Sequence, residues 1–166
     1  ANALVSRDGL LQQNRATSRV IHTHEVLREL DAVTRALSEA EAAQRALVLM
    51  NDESYDAPYR AAGQLLVRHI DRARELVLDN PAQIVRARRL AGLAQERLTQ
   101  MDEVVTTSRE VGLMAARQVL ARNGNKATSS AIRELVAEME ADESALLETR
   151  LQGVAASYHR AQTLNV

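Results

Sequence analysis

The sequence predicts an all-α fold: an up-down-up-down four-helix bundle with long first and last helices and a short extra helix near residues 113–122. Three observations carry this prediction. Strong helix formers (Ala, Leu, Arg, Glu and Gln) dominate the chain. Only six Gly and two Pro punctuate 166 residues, too few for the turns of a many-stranded β fold. Apolar residues recur at spacings of three and four, which places them on one side of a helix. With no Phe, no Trp and three Tyr, the core of this single domain must be aliphatic.

The first helix is expected over about 10–50, with an apolar face at Val20, Leu27, Leu30, Leu37 and Val48. With Leu27 taken as heptad position a, the a positions read Leu27, Thr34, Glu41 and Val48, and the d positions Leu30, Leu37 and Gln44. Asn51-Asp52-Glu53-Ser54 is a turn rich in N-cap residues. The second helix, about 55–78, places Pro58 in its first turn, where a missing N–H costs little. Its stripe is Tyr59, Ala62, Leu66, Ile70, Ala73 and Val77.

Asp79-Asn80-Pro81 is the clearest boundary, since Asn80 can cap and Pro81 suits the first helical position. The third helix, about 81–111, repeats Ile84, Ala91, Leu98 and Val105 at a, and Ala87, Ala94, Met101 and Ser108 at d. The helical signal weakens from Thr106 to Ser108 and breaks near Gly112, giving a short helix over 113–122. Asn123-Gly124-Asn125 reads as a loop. The last helix, about 126–160, is built on Ile132, Leu135, Val136, Met139, Leu146, Leu147 and Val154. A first helix of about 60 Å outruns a second of about 36 Å at 1.5 Å per residue, so the first and last helices are expected to continue together as a two-helix stalk with both chain ends at one pole.

Composition also excludes functions. A formal charge of −1 lacks the basic surplus of a nucleic-acid binder. Absence of Cys excludes disulfides, zinc–thiolate sites and thiol catalysis. No Gly-rich phosphate loop, Gly-x-Ser-x-Gly elbow or Glu-x-x-His pair occurs, so no cofactor and no metal is called for. His22 and His24 stand about 200° apart around a helix, and His69 and His159 read as isolated. Glu138, Glu140, Asp142 and Glu143 read as a solvated acidic face, and Arg86, Arg88 and Arg89 as a solvated basic one. No run of 18 apolar residues spans a membrane. The start Ala1-Asn2-Ala3 reads as a processed end with something removed upstream.

Several pieces fall in an ordered set. They are His22-Thr23-His24-Glu25-Val26-Leu27, Ala40-Glu41, Gln44-Arg45, Asp52-Glu53-Ser54-Tyr55, Pro58-Tyr59 and Asp79-Asn80-Pro81-Ala82-Gln83. Ile132-Arg133, Glu138-Met139-Glu140, Glu143, Leu146-Leu147 and Arg150 complete it. Together they resemble the CHASE3 family of extracytoplasmic sensory domains of bacterial signalling receptors, over about 20–150. The chain departs from the family pattern at Arg45 to Asn51, where glycines and a tyrosine are replaced. The resemblance implies a domain that is not itself an enzyme, on the periplasmic side of an inner membrane, between two transmembrane helices of its parent chain. It also implies a homodimeric receptor with a cytoplasmic output domain, most often a histidine kinase, and an unidentified small-molecule or protein stimulus.

The candidate site residues are Glu41, Gln44, Arg45, Tyr55, Tyr59 and Arg133. Glu41 and Gln44 fall inside the apolar stripe, where a carboxylate is costly unless paired, so a partner on another helix is expected. Arg133 and the Asp142-Glu143 stretch are the possible neighbours. Such a layer either fixes helix register or responds to a ligand or proton. Tyr55 and Tyr59, one turn apart, either pack over the bundle end or face a ligand. A helical spacer or dimerisation module without any ligand is the alternative to the sensor, and a four-helix metalloenzyme stands third.

Overall fold

In the computed structural model, residues 2–122 and 125–163 are described. Among them the elements are α1 (Asn2–Met50), a 3-10 turn (Glu53–Tyr55), α2 (Asp56–Leu76), α3 (Pro81–Glu110), α4 (Leu113–Arg122) and α5 (Asn125–Thr163), with no β-strand. The all-helical expectation holds, and the boundaries at 50, 81 and 113 fall where the turn residues placed them.

Several boundaries differ, α2 ending at Leu76 rather than near 78 and α3 at Glu110 rather than 111 among them. α1 starts at Asn2 rather than near Leu10, because the stretch before Leu10 contains no Pro and the lone Gly9 only weakens a helix. Residues 53–55 form a separate 3-10 turn ahead of α2. Asn125, read as loop, opens α5, while Asn123 and Gly124 lie outside the described residues. α5 continues to Thr163 rather than stopping near 160.

Local chemistry explains the turns. Asn51 takes a left-handed φ of 50°, which its short polar side chain tolerates better than most. Asp52 Oδ1 then accepts the Ser54 N–H at 2.9 Å. Arg109, near the end of α3, donates to Glu53 and, at 2.8 Å, to Asp56, tying this turn to the third helix. These two carboxylates hold the Arg109 guanidinium above its usual pKa. At the next boundary Asn80 Oδ1 accepts the Gln83 N–H at 3.3 Å, with Pro81 at the first helical position.

α3 ends on a glycine-dependent turn. Gly112 adopts φ 109°, and its N–H reaches back to the Thr107 carbonyl at 3.1 Å. A Cβ at Gly112 would meet nothing within 4 Å, so the requirement there is purely conformational. Gly112→Ala is therefore expected to cost about 1–2 kcal/mol in urea unfolding, from backbone strain alone.

The helix faces carry a systematic correction. In α1 the seam is Val26, Leu30, Val33, Leu37, Ala40, Gln44 and Leu47, with Thr23 and Ala36 also buried, so the d positions stand and the a positions move one residue earlier. Leu27 and Thr34 are only half-buried. Glu41 and Val48 flank the seam and remain buried. The same slip occurs in α3, whose seam is Gln83, Ala87, Leu90, Ala94, Arg97, Met101 and Val104. Ile84, Ala91, Leu98 and Ser108 lie half-buried beside it. In α3 the more apolar frame is the wrong one, because the true frame carries Gln83 and Arg97 inward, whereas in α1 the true a positions, Val26, Val33, Ala40 and Leu47, are the more apolar set. In α2 the whole predicted stripe, Tyr59 to Val77, is buried.

The chain divides into two units. One comprises Ala1–Arg28 with Glu140–Val166. Within it Thr23, Val26 and Glu143 are buried, and the Arg150 guanidinium donates to the Thr23 hydroxyl and, at 2.9 Å, to the Arg19 carbonyl. Glu143, read from its neighbours as solvated, is 3% exposed. A step of four residues, about one turn from Met139, carries it onto the inward face of α5.

The second unit is Glu29–Met139. Its core packs Ala40, Leu47 and Val48 of α1, Tyr59 and Ala62 of α2, Met101, Val104 and Val105 of α3, and Ala116 and Val119 of α4. His69, read as isolated, pairs its Nδ1 with Glu29 at 2.7 Å, joining α2 to α1. Arg86, read as solvated, is half-buried, 3.8 Å from Glu138, whereas Arg88 and Arg89 are exposed.

Candidate functional site

The second unit contains a buried polar layer. Glu41 on α1 is its centre, 8% exposed. One carboxylate oxygen, Oε1, accepts from Arg97 Nε at 3.3 Å, from Arg97 Nη2 at 3.2 Å and from the Ser129 hydroxyl. The other, Oε2, accepts from Arg133 Nη2 at 2.8 Å. Ser129 Oγ in turn accepts from Arg97 Nε at 2.8 Å. Three helices, α1, α3 and α5, are thereby joined through a single carboxylate.

Helix periodicity builds this layer. The α3 seam carries Arg97 inward, 5% exposed, at the level where α1 presents Glu41. Ser129 and Arg133 are four residues apart on α5, so they lie one above the other on one face. Ser129 is buried, while Arg133 keeps 40% of its side chain in solvent. Burial is the largest single influence on Glu41 and favours its neutral acid. The Ser129 hydroxyl and the Arg133 and Arg97 guanidinium groups together outweigh it and hold the carboxyl below its ordinary pKa.

That balance sets a pH dependence. A carboxyl whose folded pKa is depressed contributes stability that is complete above its ordinary value of 4.5 and disappears as pH falls through the lower folded value. Urea midpoints are expected to decline on acidification from about pH 5 to pH 3, and Glu41→Gln is expected to flatten that decline. Part of the slope will survive the substitution, because Asp56, hydrogen-bonded by Arg60 and Arg109, is shifted in the same direction.

Two buried glutamines reinforce the register. Gln44 on α1 donates to the Met101 carbonyl of α3 at 3.1 Å, and Gln83 on α3 donates to the Met139 carbonyl of α5 at 3.1 Å. Each carbonyl has a second lone pair beyond its helical bond, so the contact adds to the helix without breaking it. Beside the layer, Gln100 donates to Thr128 Oγ1 at 3.1 Å and to Glu96 at 3.0 Å.

A cavity of about 410 Å³ opens against the layer. Glu41, Gln44 and Arg45 line it from α1, Arg97 from α3, Arg117 from α4, and Lys126, Ser129 and Arg133 from α5. Its apolar wall is Val48, Leu49, Val104, Leu113 and Leu120. Four of the six predicted residues, Glu41, Gln44, Arg45 and Arg133, thus meet at one place.

The two tyrosines do not join them. Tyr55 is half-buried and packs against the core of the second unit. Tyr59 is buried, its hydroxyl donating to Asp102 Oδ1 at 2.6 Å, and it lines a groove between α2 and α3. Burial and the Asp102 carboxylate both raise the Tyr59 pKa, so its proton is held in place. Of the two alternatives for this pair, packing describes Tyr55, and Tyr59 adds a helix-to-helix bond; neither lines the cavity beside Glu41.

Arg97, Arg117, Lys126 and Ser129 were not among the predicted residues. For Arg97 a signal was available. A carboxylate in the α1 seam demands a cation, and the alternative α3 frame places an arginine inward. Arg117 and Lys126 carry no such signal, since exposed cations on short helical stretches are ordinary.

The sequence matches the CHASE3 domain model over residues 16–153. Among solved structures it is similar to the sensor domain of the histidine kinase HK9 of Rhodopseudomonas palustris. The TM-score is 0.72 and the identity 27%, over 76% of this chain and 98% of that one. No curated protein matches the chain.

Proposed function

The chain belongs to the CHASE3 domain family and is an extracytoplasmic sensory domain, and from that premise we propose that the Glu41 layer is the point at which a stimulus is coupled to helix position. The observation that carries this reading is that one buried carboxylate holds α1 and α5 together through Ser129 and Arg133. The first and last helices are those that would continue into flanking membrane spans of a bacterial inner-membrane receptor.

In this reading the four long helices run up-down-up-down, and a ligand in the cavity, contacting Glu41, Gln44, Arg45 and Arg133, alters the Arg133–Glu41 bond. α5 then shifts against α1 by about 1–2 Å, a common amplitude for switching at packed helix interfaces. Similarity to the HK9 sensor domain supports a histidine kinase as the output. The receptor is a homodimer. Ile21→Cys, at an exposed position on α1, places a cysteine in a domain that has none, and oxidative cross-linking of the receptor in membranes that depends on this substitution is the expected result.

A second reading, a spacer or dimerisation module without a ligand, is favoured by the two glutamine-to-carbonyl bonds, which fix register without any ligand. The full-length receptor separates the two. If the layer couples stimulus to output, Glu41→Gln and Arg133→Gln should each change basal output at least about fivefold, the lower range of allosteric coupling. Unchanged output in both, with folding intact, leaves the layer a register device.

A further inference from the structure

We propose that the cavity beside Glu41 binds a small organic carboxylate with an aliphatic body. The inference rests on the ligand reading above and adds the chemistry of the ligand. Arg45, Arg97, Arg117, Lys126 and Arg133 line the cavity, and Glu41 is its single carboxylate. The whole chain has a formal charge of −1, so this concentration of cations does not reflect a basic protein. The chain's one lysine is among them.

Glu41 cannot balance this charge. Both its oxygens are committed, Oε1 to Arg97 and Ser129 and Oε2 to Arg133. Arg45, Arg117 and Lys126, exposed on three different helices, form no ion pair among the described residues. Cations drawn to one concavity repel one another and lower the energy of an anion that enters it. Guanidinium forks match a planar carboxylate with two parallel hydrogen bonds.

The opposite wall sets the rest of the ligand. Val48, Leu49, Val104, Leu113 and Leu120 are all aliphatic, and Leu49 and Leu120 are left substantially exposed, at 56% and 37%. A bare inorganic anion would leave that surface wet, whereas an alkyl chain covers it at about 25 cal/mol per Å². No aromatic side chain lines the cavity, so nothing there is built for stacking. The volume, about 410 Å³, is within the range of small-ligand sites. A carboxylate that reaches Arg133 competes with Glu41 Oε2 for it, which links occupancy to the α1–α5 bond.

The test is calorimetric titration of the 166-residue chain in low-salt buffer with hexanoate, n-hexanol, hexylamine and inorganic phosphate. Hexanoate is expected to bind saturably and at least about tenfold more tightly than hexanol or phosphate, a difference of about 1.4 kcal/mol. Butanoate should bind more weakly and octanoate more tightly, and added salt should weaken all three. Arg117→Glu and Arg45→Glu, both exposed, should each lower hexanoate affinity about tenfold, with a far-UV spectrum and unliganded Tm matching the parent chain.

Equal binding of hexanol, equal binding of phosphate, or hexanoate binding untouched by both charge reversals overturns the carboxylate assignment. Binding of hexylamine as tight as that of hexanoate, and lost in the cavity-filling Leu49→Trp, overturns it too, while leaving the ligand reading standing. Absence of binding by every probe counts against both.

Discussion

Arg97→Met is expected to destabilise the domain by about 3 kcal/mol, the low end for removing one partner of a buried ion pair. At roughly 2–4 °C per kcal/mol for a chain of this size, Tm should fall by about 10 °C. The substitution leaves Glu41, 8% exposed, with Ser129 and Arg133 but without the guanidinium that contacts it twice. Glu41→Leu is expected to cost a similar amount, for the complementary reason: a guanidinium 5% exposed loses its carboxylate. The double variant Glu41→Leu/Arg97→Met should recover most of the loss, to within about 1 kcal/mol of the parent, since neither buried charge is then left over. Arg133, 40% exposed at its side chain, can turn to water at little cost. The measurement is a double-mutant cycle by urea unfolding. Simple additivity of the two single losses would show that the layer is not a coupled unit.

Leu90→Ala is expected to cost about 3–4 kcal/mol, and Leu98→Ala about half as much. Leu90 is wholly buried in the α3 seam, so truncation leaves a cavity that the surrounding aliphatic core fills only in part. Leu98 is half-buried at the edge, beside the α2–α3 groove, where solvent can take the vacated space. The ratio distinguishes the two heptad frames of α3, because the frame of Ile84, Ala91, Leu98 and Val105 requires the opposite order. Equal losses, or a larger loss at Leu98, would restore that frame.

These two experiments bear on the same lesson. The heptad d positions of α1 and α3, Leu30, Leu37 and Gln44 and then Ala87, Ala94 and Met101, are legible in the sequence and are buried. The a positions were misplaced by one residue in both helices, for different reasons. In α3 hydrophobicity ranks Leu98 above Arg97, yet a helix buries whichever residue geometry turns inward once neighbours are in place; in α1 the buried set Val26, Val33, Ala40 and Leu47 is itself the more apolar, and anchoring the frame on Leu27 passed over it. The candidate site was legible to the same depth. Glu41 and Gln44 stand out as polar residues in an apolar stripe, and Arg133 could be named as a partner on charge alone. Arg97 was hidden behind its misread frame. Arg117 and Lys126 were hidden because a cavity exists only after helices from distant parts of the chain have packed.

By itself the sequence determined the local structure: helix formers throughout, caps at Asp52 and Asn80, and a left-handed stop at Gly112. Those outcomes depend on residues a few positions apart, and the energies involved are intrinsic to backbone and side chain. Only the tertiary structure decided which carboxylate met which guanidinium, that Glu143 and Arg97 are buried, and that four helices enclose a cation-lined cavity. Residues 32 to 92 positions apart make the bonds of the Glu41 layer, and no local pattern fixes such pairs. They are selected by the cost of leaving a buried charge unpaired, which is set only when the surrounding helices close over it.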